Sequence, residues 1–334
     1  MKRIVSGIQP SGTPHLGNYF GMIQPSLRLA EREDAIYFIA DYHALTTVKD
    51  PAILRELTFD VAATWMALGL DPTRTVLYVQ SDVPEVCELA WILSCVVAKG
   101  LLNRSHAYKA VVDANQSNRR SLDDGVTVGL FNYPILMAAD ILIHGAELVP
   151  VGQDQQQHIE IARDVAQAFN TAYGETFIVP EGVTDSAVAT VPGTDGRKMS
   201  KSYDNVVPIF ADDTEVAQRI MSIVTDSRRA DEPKSPESCN VFALYSHVAH
   251  PEDVAAMAAR YTAGQIGYRE AKEALLDAHR NRFGSATAEF RELRADPSLL
   301  HQVLVQGADQ ARTTASEHLK AARDAVGIGA LTRR

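Results

Sequence analysis

A glycine- and proline-rich turn near the start of the chain carries residues suited to binding a phosphate. The segment from Gln9 to Asn18 reads QPSGTPHLGN and directly follows an apolar run. Backbone N–H groups at the start of a helix bind anions, and Gly17 would let a ligand approach the backbone closely. His15 and Asn18 lie three residues apart, so both side chains can face one ligand. From these residues alone, a surface histidine on a loop explains His15 equally well.

A second cluster of polar side chains lies at residues 198–202, which read KMSKS. Lys198 and Lys201 are compact positive charges, and a loop that carries them can close over a polyphosphate. A basic loop by itself is usually only a solvated surface. The interpretation therefore depends on the combination of this loop with the early turn.

These two segments need a framework that brings them together. Short apolar runs typical of strands lie at residues 4–8, 35–40, 75–79 and 148–151. Stretches with helical patterning lie between them, near residues 51–69, 84–101 and 154–172. Apolar strands separated by helices of this size predict crossover connections and a mostly parallel sheet. In such a sheet the site is expected at the carboxyl ends of the strands.

The pattern changes after about residue 206. Strand signals fade, and helices are predicted near residues 212–224, 239–249, 251–263, 267–282 and 308–325. The fold class is therefore predicted as α/β, with a Rossmann-like parallel sheet in residues 1–205 followed by an all-helical part. The polar residues 113–127 are predicted as a surface loop.

Composition limits the classes of protein to which the chain can belong. Of its 334 residues, 46% are hydrophobic and 22% are charged, which is typical of a globular protein with a sizeable core. The sequence has no apolar run long enough to span a bilayer, and its start, MKRIVSG, lacks the pattern of a secretory signal, so a cytoplasmic protein is expected. The net charge of -10 argues only weakly against RNA binding, because that needs a local basic face rather than a basic pI.

Three cysteines, Cys87, Cys95 and Cys239, are too few and too widely spaced to predict a disulfide framework or a zinc site. Cys87 and Cys95 flank a helical apolar stretch, and both are predicted as core residues. A metal site built from protein side chains is therefore not expected.

The two polar segments resemble the signature motifs of a known family. Residues 14–18, PHLGN, are similar to the HIGH motif of the class I aminoacyl-tRNA synthetases, and residues 198–202 match that class's KMSKS motif letter for letter. The resemblance implies that an amino-acid carboxylate attacks the α-phosphate of ATP and that pyrophosphate leaves. It assigns catalytic contacts to the phosphates to His15, Asn18, Lys198 and Lys201. Asn18 replaces the final histidine of the motif, as is familiar in the tryptophan and tyrosine branch of the class.

The same resemblance implies which residues bind ATP, with Mg²⁺ carried by the nucleotide. Those expected from the two motifs are Gln9, Pro10, Ser11, Gly17, Asn18, Lys198, Met199, Ser200, Lys201 and Ser202. The run VPVGQDQ at residues 149–155 is similar to the tryptophanyl-tRNA synthetases, which implies that Gly152, Gln153 and Asp154 contact the ribose and adenine. A helix-capping role would also explain Asp154. Val188 is expected to contact the adenine through its backbone.

The segment NYPILMAADIL at residues 132–142 bears on which amino acid is activated. Pro134 suits the first turn of a helix, on which Met137 and Asp140 share a face. Methionine offers a polarizable surface to an aromatic ring, and Asp140 could accept a hydrogen bond from an indole N–H. A carboxylate on the helix surface is the alternative, but Asp140 has apolar neighbours on both sides.

Two further residues are expected at the substrate. His43 follows the second strand in a turn, DYHALT, that resembles the family's equivalent, where a histidine lies over the substrate. A structural histidine at a strand end is nearly as good an explanation. Val5 stands where several family members carry a phenylalanine against the indole, which leaves the pocket wall uncertain.

The resemblance also implies partners and domains. L-tryptophan, ATP and tRNA(Trp) are the expected substrates, and a symmetric homodimer is expected. Residues 206–300 would read the anticodon, and residues 301–334 would form a helix that packs back on the catalytic domain. The cluster formed by Arg280, Arg282, Arg291 and Arg294 with Phe283 and Phe290 could hold bases, although a salt-bridged helix surface explains it better, because Glu289 and Glu292 interleave.

Three alternatives stay open from the sequence. The tyrosine enzyme of the same branch would need a different pocket for a phenol hydroxyl. An inactive paralogue could sense tryptophan or bind RNA, although it would have no need of His15, Asp140 and the two KMSKS lysines together. A different nucleotidyltransferase could share the early turn, but the helical part after residue 206 counts against it.

Overall fold

The computed structural model describes residues 1–151, 156–183 and 191–329. Its sheet, as described, contains five parallel strands: β1 (Arg3–Ile8), β2 (Asp34–Ile39), β3 (Val76–Val79), β4 (Leu148–Pro150) and β5 (Glu181–Val183). The spatial order is β3-β2-β1-β4-β5. The order reverses beside β1, so the carboxyl end of β1 is the switch point at which a parallel sheet opens a crevice for a ligand. The predicted α/β class with a parallel sheet is confirmed.

Helices cover the sheet and continue beyond it. Those of the α/β part are α1 (Leu16–Asn18), α2 (Gln24–Ala30), α3 (Asp41–Ala44), α4 (Pro51–Ala67), α5 (Glu85–Ser94), α6 (Lys99–Leu102), α7 (His106–Ser117), α8 (Val128–Leu142) and α9 (Gln156–Tyr173). Those that follow are α10 (Asp213–Met221), α11 (Asn240–Val248), α12 (Pro251–Thr262), α13 (Tyr268–Ala295) and α14 (Ser298–Ala325). A π-helical turn, Tyr19–Ile23, joins α1 to α2.

Alternation along the strands gives each face of the sheet its own core. Ile4, Tyr37 and Leu77 face one core, which continues without a break into buried residues of α11 and α13. Val5 and Phe38 face the other core, which is closed by α5, α8, α9 and α14. The early turn is therefore anchored between the sheet and the helical part.

The C-terminal helix α14 returns across the sheet edge. Gly307 lies so close to β3 that a Cβ there would be 1.9 Å from the Leu77 carbonyl oxygen, so a side chain would force the helix away. Arg312 and Arg323 of α14 form ion pairs with Glu85 and Glu88 of α5. Of the helices that the structure describes, none combines the length and the apolar character needed to cross a membrane.

Several local predictions differ from the structure. Helix α7 extends to Ser117, so the predicted surface loop begins only at residue 118. Helix α8 begins at Val128, where the Thr127 hydroxyl accepts the Leu130 N–H at 3.1 Å, and Pro134 lies inside it rather than in its first turn. The short edge strand β5 carries polar and small residues and was not predicted.

The prediction that Cys87 and Cys95 are core residues is wrong, because both are exposed. They lie on the outward side of α5 and at its end, and Trp91 between them is 72% exposed. Apolar residues on this helix bury its other face, at Val86, Leu89 and Leu93. Apolar sequence alone did not show which face pointed inward.

Candidate active site

A cavity of about 1510 Å³ opens at the carboxyl ends of β1, β2 and β4. The predicted site residues that line it are Val5, Gln9, Ser11, His15, Gly17, Asn18, His43, Met137, Asp140, Lys198, Met199, Ser200 and Lys201. Pro10 is buried and Ser202 is exposed, and neither is among the lining residues described. Gly152, Gln153, Asp154 and Val188 lie outside the described residues. The structure thus brings the described parts of the early turn and of the KMSKS loop to one cavity, together with Met137 and Asp140.

His15 and Asn18 hold each other at the start of α1. The His15 N–H donates to Asn18 Oδ1 at 3.1 Å, and the Asn18 N–H donates to His15 Nδ1 at 3.3 Å. This reciprocal cap fixes both side chains, since each binds the backbone of the other. Because Nδ1 is an acceptor, the neutral ring carries its proton on Nε2.

Burial and the nearby Lys201 ammonium together lower the pKa of His15 to about 4. The imidazole is therefore neutral at physiological pH and can donate one hydrogen bond through Nε2. The alternative of a surface histidine is wrong, because His15 is buried.

The KMSKS loop closes directly on the early turn. Lys201 Nζ donates to the Ser11 carbonyl at 3.0 Å, and the Gly17 N–H points at Met199 Sδ at 3.3 Å. The chain that leaves the loop adds a backbone bond, from the Leu16 N–H to the Val207 carbonyl at 3.0 Å. Partial desolvation lowers the pKa of Lys201 below its usual value. The loop and the turn, almost two hundred positions apart in the chain, form one wall of the cavity.

The side chain of Asn205, which was not predicted as a site residue, forms hydrogen bonds with the backbone of the KMSKS loop. Its Oδ1 accepts the Ser200 N–H at 2.8 Å, while its Nδ2 donates to the Lys198 carbonyl at 3.2 Å and to Asp195 Oδ1 at 2.7 Å. The side chain is buried, so these bonds are shielded from water. Its only sequence signal is its place shortly after the motif, which many surface asparagines share.

Asp140 is fully buried, so the alternative of a surface carboxylate is wrong. His43 Nε2 lies 3.0 Å from Asp140 Oδ2, and Gln80 Nε2 lies 2.8 Å from both carboxylate oxygens. Burial raises the pKa of Asp140, whereas the hydrogen bonds from His43 and Gln80 lower it. Gln80 was not predicted, although it directly follows the third strand and so lies at the sheet edge where sites form.

Apolar side chains complete the pocket around Asp140. Met137 lies one turn before Asp140 on α8, and both line the cavity together with Val5. Phe38 of β2 also lines it and was not predicted. An aromatic ring in this pocket would meet hydrocarbon and sulfur on its sides and a hydrogen-bond acceptor at one point.

The arginine and phenylalanine cluster of α13 is a structural surface. Phe283 is buried, and Phe290 stacks on Phe210 with ring centroids 4.3 Å apart. Arg294 pairs with Glu56 and Asp60 of α4, so it ties the helical part to the α/β part. The aromatic rings are therefore not free to stack on bases. Arg294 is ion-paired, as the salt-bridge interpretation predicted, but its partners are Glu56 and Asp60 rather than Glu289 and Glu292.

Comparison with known proteins agrees with this geometry. The family described as "tRNA synthetases class I (W and Y)" matches residues 1–284. The tryptophan--tRNA ligase of Pseudomonas aeruginosa is 48% identical over 334 residues, covering 98% of this chain and 74% of that protein. That of Bordetella parapertussis is 47% identical with the same coverage.

Solved structures show the same relationship. The Campylobacter jejuni tryptophanyl-tRNA synthetase complexed with ADP and tryptophan superposes with a TM-score of 0.90 at 41% identity, covering 98% of this chain and 100% of that one. The Archaeoglobus fulgidus tyrosyl-tRNA synthetase, at 20% identity and a TM-score of 0.64, shares the fold alone, with 86% of this chain and 90% of that one covered. The chain therefore belongs to the class I aminoacyl-tRNA synthetases, in the family of the tryptophan and tyrosine enzymes.

Proposed function

We infer that the chain is a tryptophan–tRNA ligase. It activates L-tryptophan with ATP to tryptophanyl-adenylate and pyrophosphate, and then transfers tryptophan to tRNA(Trp). The observation that supports this function is the contact between Lys201 and the Ser11 carbonyl, because it joins the early turn to the KMSKS loop at the cavity that Asp140 also lines. ATP and tryptophan can then meet in one site.

Adenylate formation needs positioning and charge stabilisation more than covalent help from the protein. The tryptophan carboxylate attacks the α-phosphate, an oxygen–phosphorus bond forms, and the bond to pyrophosphate breaks. In this proposal the Nε2–H of His15 and the side-chain amide N–H of Asn18 donate to phosphate oxygens. Lys198 and Lys201 supply positive charge where the pyrophosphate departs.

Mg²⁺ fits this site as a companion of the nucleotide. Within the described residues there is no group of three or more His, Cys, Asp or Glu side chains that could hold a metal ion. From the family resemblance we propose that the triphosphate oxygens carry Mg²⁺, which would offset the negative charge of the leaving pyrophosphate. Gly152, Gln153, Asp154 and Val188 remain proposed contacts of the ribose and adenine on the family resemblance.

Selection of tryptophan is proposed to rest on Asp140, with Met137, Val5 and His43 around the ring. An indole has one N–H, which is a donor only, and a buried acceptor left unpaired by phenylalanine costs binding energy. Pyrophosphate exchange with tryptophan, tyrosine and phenylalanine tests this function. Exchange with tyrosine but not with tryptophan would make the chain a tyrosine enzyme, and tryptophan binding without exchange would make it an inactive paralogue.

The helical part after residue 206 is proposed to bind the tRNA anticodon, with residues 301–334 as part of the catalytic unit. Support for the second point comes from the packing of α14 on β3 and α5. The aromatic rings of α13 are excluded as base platforms by their packing, so the contacts to tRNA are expected from exposed residues. Filter binding of tRNA(Trp) to arginine variants of the helical part would identify them.

A symmetric homodimer is proposed through the exposed face of α5. Trp91 is 72% exposed there, and Val128 is 76% exposed at the start of α8, which packs on α5. Large apolar groups exposed on neighbouring helices favour burial against a second copy. Sedimentation should show a dimer for the natural chain and a shift toward monomer for Trp91→Glu; an unchanged mass would place the interface elsewhere.

A further inference from the structure

Gln80 is a fully buried amide in the short helical turn Gln80–Asp82, directly after β3. Its Oε1 accepts the Tyr42 N–H at 3.1 Å, and its Nε2 lies 2.8 Å from both oxygens of Asp140. Because an amide has one acceptor end and one donor end, the backbone of α3 fixes the donor end toward the carboxylate.

The two oxygens of Asp140 are not used equally. Oδ2 receives both His43 Nε2 and Gln80 Nε2, whereas Oδ1 receives only Gln80 among the residues that the structure describes. A carboxylate has about four acceptor positions, so Oδ1 keeps capacity for one more donor. Asp140 is among the residues that line the cavity, so a donor on a bound ring is the candidate for that position.

We propose that Gln80 is a positioning residue for amino-acid selection, which holds Asp140 so that Oδ1 accepts the indole N–H. This inference rests on the proposed tryptophan–tRNA ligase function. Gln80 is not among the lining residues described for the cavity, so it acts on the substrate through Asp140.

Several charges compete at Asp140. Burial and the Asp41 carboxylate raise its pKa, and the bonds from His43 and Gln80 lower it. Burial raises the pKa of Tyr78 in β3 and of Cys87 in α5, and the nearby charge of Asp140 raises the pKa of each further. Without the hydrogen bond from Gln80, less opposes the effect of burial, and the pKa of Asp140 rises further. A protonated Asp140 is a poorer acceptor, and its side chain is free to rotate.

The test uses two substrates that differ at one atom. Tryptophan is compared with β-(3-benzothienyl)alanine, in which sulfur replaces the indole N–H, by kcat/KM in pyrophosphate exchange. Gln80→Met, which keeps the length of the side chain without its polar groups, should reduce the preference for tryptophan about tenfold. The KM for ATP should change little, and it serves as the internal control for folding.

A double-mutant cycle separates action through Asp140 from a general loss of structure. In an Asp140→Ala background, Gln80→Met should cause no further loss of the preference, because the carboxylate that it positions is gone. An equal loss of the preference in both backgrounds would overturn the proposal. It would also be overturned if Gln80→Met kept the same preference for tryptophan as the natural chain.

Gln80→Glu gives a signature that a purely structural role would not give. The introduced carboxyl keeps the acceptor for the Tyr42 N–H but, when ionised, repels Asp140; when protonated, it can donate to Asp140 as the amide does. In Gln80→Glu the preference for tryptophan should therefore recover as the pH falls from alkaline to mildly acidic. The preference of the natural chain should not increase over the same range. A pH profile parallel to that of the natural chain would contradict the positioning role, while absence of tryptophan-dependent exchange in the natural chain would instead refute the proposed function.

Discussion

Phe38 occupies the space that Gly7 leaves open: a Cβ built on Gly7 would lie 2.3 Å from Phe38 Cζ. The two residues are paired neighbours on β2 and β1, and Phe38 also lines the cavity near Val5. Where the expected phenylalanine at position 5 is absent, Phe38 supplies an aromatic surface from the adjacent strand. The missing side chain of Gly7 is what allows it to lie there.

We therefore predict that Gly7→Ala raises the KM for tryptophan, because the new methyl group pushes the Phe38 ring out of position. Overpacking of this kind should also lower the free energy of unfolding by about 2 kcal/mol. The matched control is Gly284→Ala in α13, where a Cβ meets no atom within 4 Å. Thermal unfolding and pyrophosphate exchange on both variants check the prediction, and equal effects would mean that Phe38 is not held by this contact.

Asp140→Ala should lose selectivity for tryptophan while ATP binding survives. The variant removes the buried acceptor and leaves the donors of His43 and Gln80 without their partner, so discrimination against phenylalanine should fall about a hundredfold. Exchange rates with tryptophan, tyrosine and phenylalanine measure it. The exposed Asp164→Ala on α9 is the control, and unchanged discrimination in Asp140→Ala would show that another residue reads the indole.

Lys198→Ala should slow adenylate formation about a hundredfold and weaken tryptophan binding much less. The reason is that its charge is needed where pyrophosphate departs rather than where the ring binds. Lys201→Ala should have a similar effect and also loosen the loop, since Lys201 bonds the Ser11 carbonyl. Single-turnover kinetics separate the rate constant of adenylate formation from the dissociation constant of tryptophan, with Lys320→Ala on α14 as the control. Equal losses in rate and in binding would assign the loop to ground-state binding.

The pH dependence of stability should carry the signature of His15. Its pKa falls from 6.5 to about 4 on folding, so the folded chain favours the neutral ring. The stabilisation is fully present above about pH 6.5, is lost as the pH falls toward about 4, and amounts to about 3 kcal/mol in total. Compared with His15→Asn, the natural chain should lose this much more unfolding free energy over that window.

Urea unfolding of both proteins across the window measures the difference. The exposed His106→Asn variant controls for a histidine at the surface. If the free energies of unfolding of the natural chain and of His15→Asn changed in parallel with pH, the His15 ring would not be buried in solution.

Much of the framework could be predicted from sequence because it depends on local patterns. Strands β1 to β4 lie within one residue of their predicted bounds, since short apolar runs between helices identify strands of a parallel sheet. Strand β5 and the start of α8 could not be predicted in this way. An edge strand of three residues has too little pattern, and Pro134 inside a helix contradicts the usual preference.

Resemblance to the family's motifs was enough to predict the chemistry and the residues proposed to carry it: His15, Asn18, Lys198, Lys201 and Asp140. How these side chains are held became visible only in the folded chain. Asn205 under the KMSKS loop, Gln80 beside Asp140 and Phe38 above Gly7 all act through partners on other elements. Which groups a side chain can contact depends on which strands and helices become neighbours, and short sequence patterns do not specify contacts between distant parts of the chain.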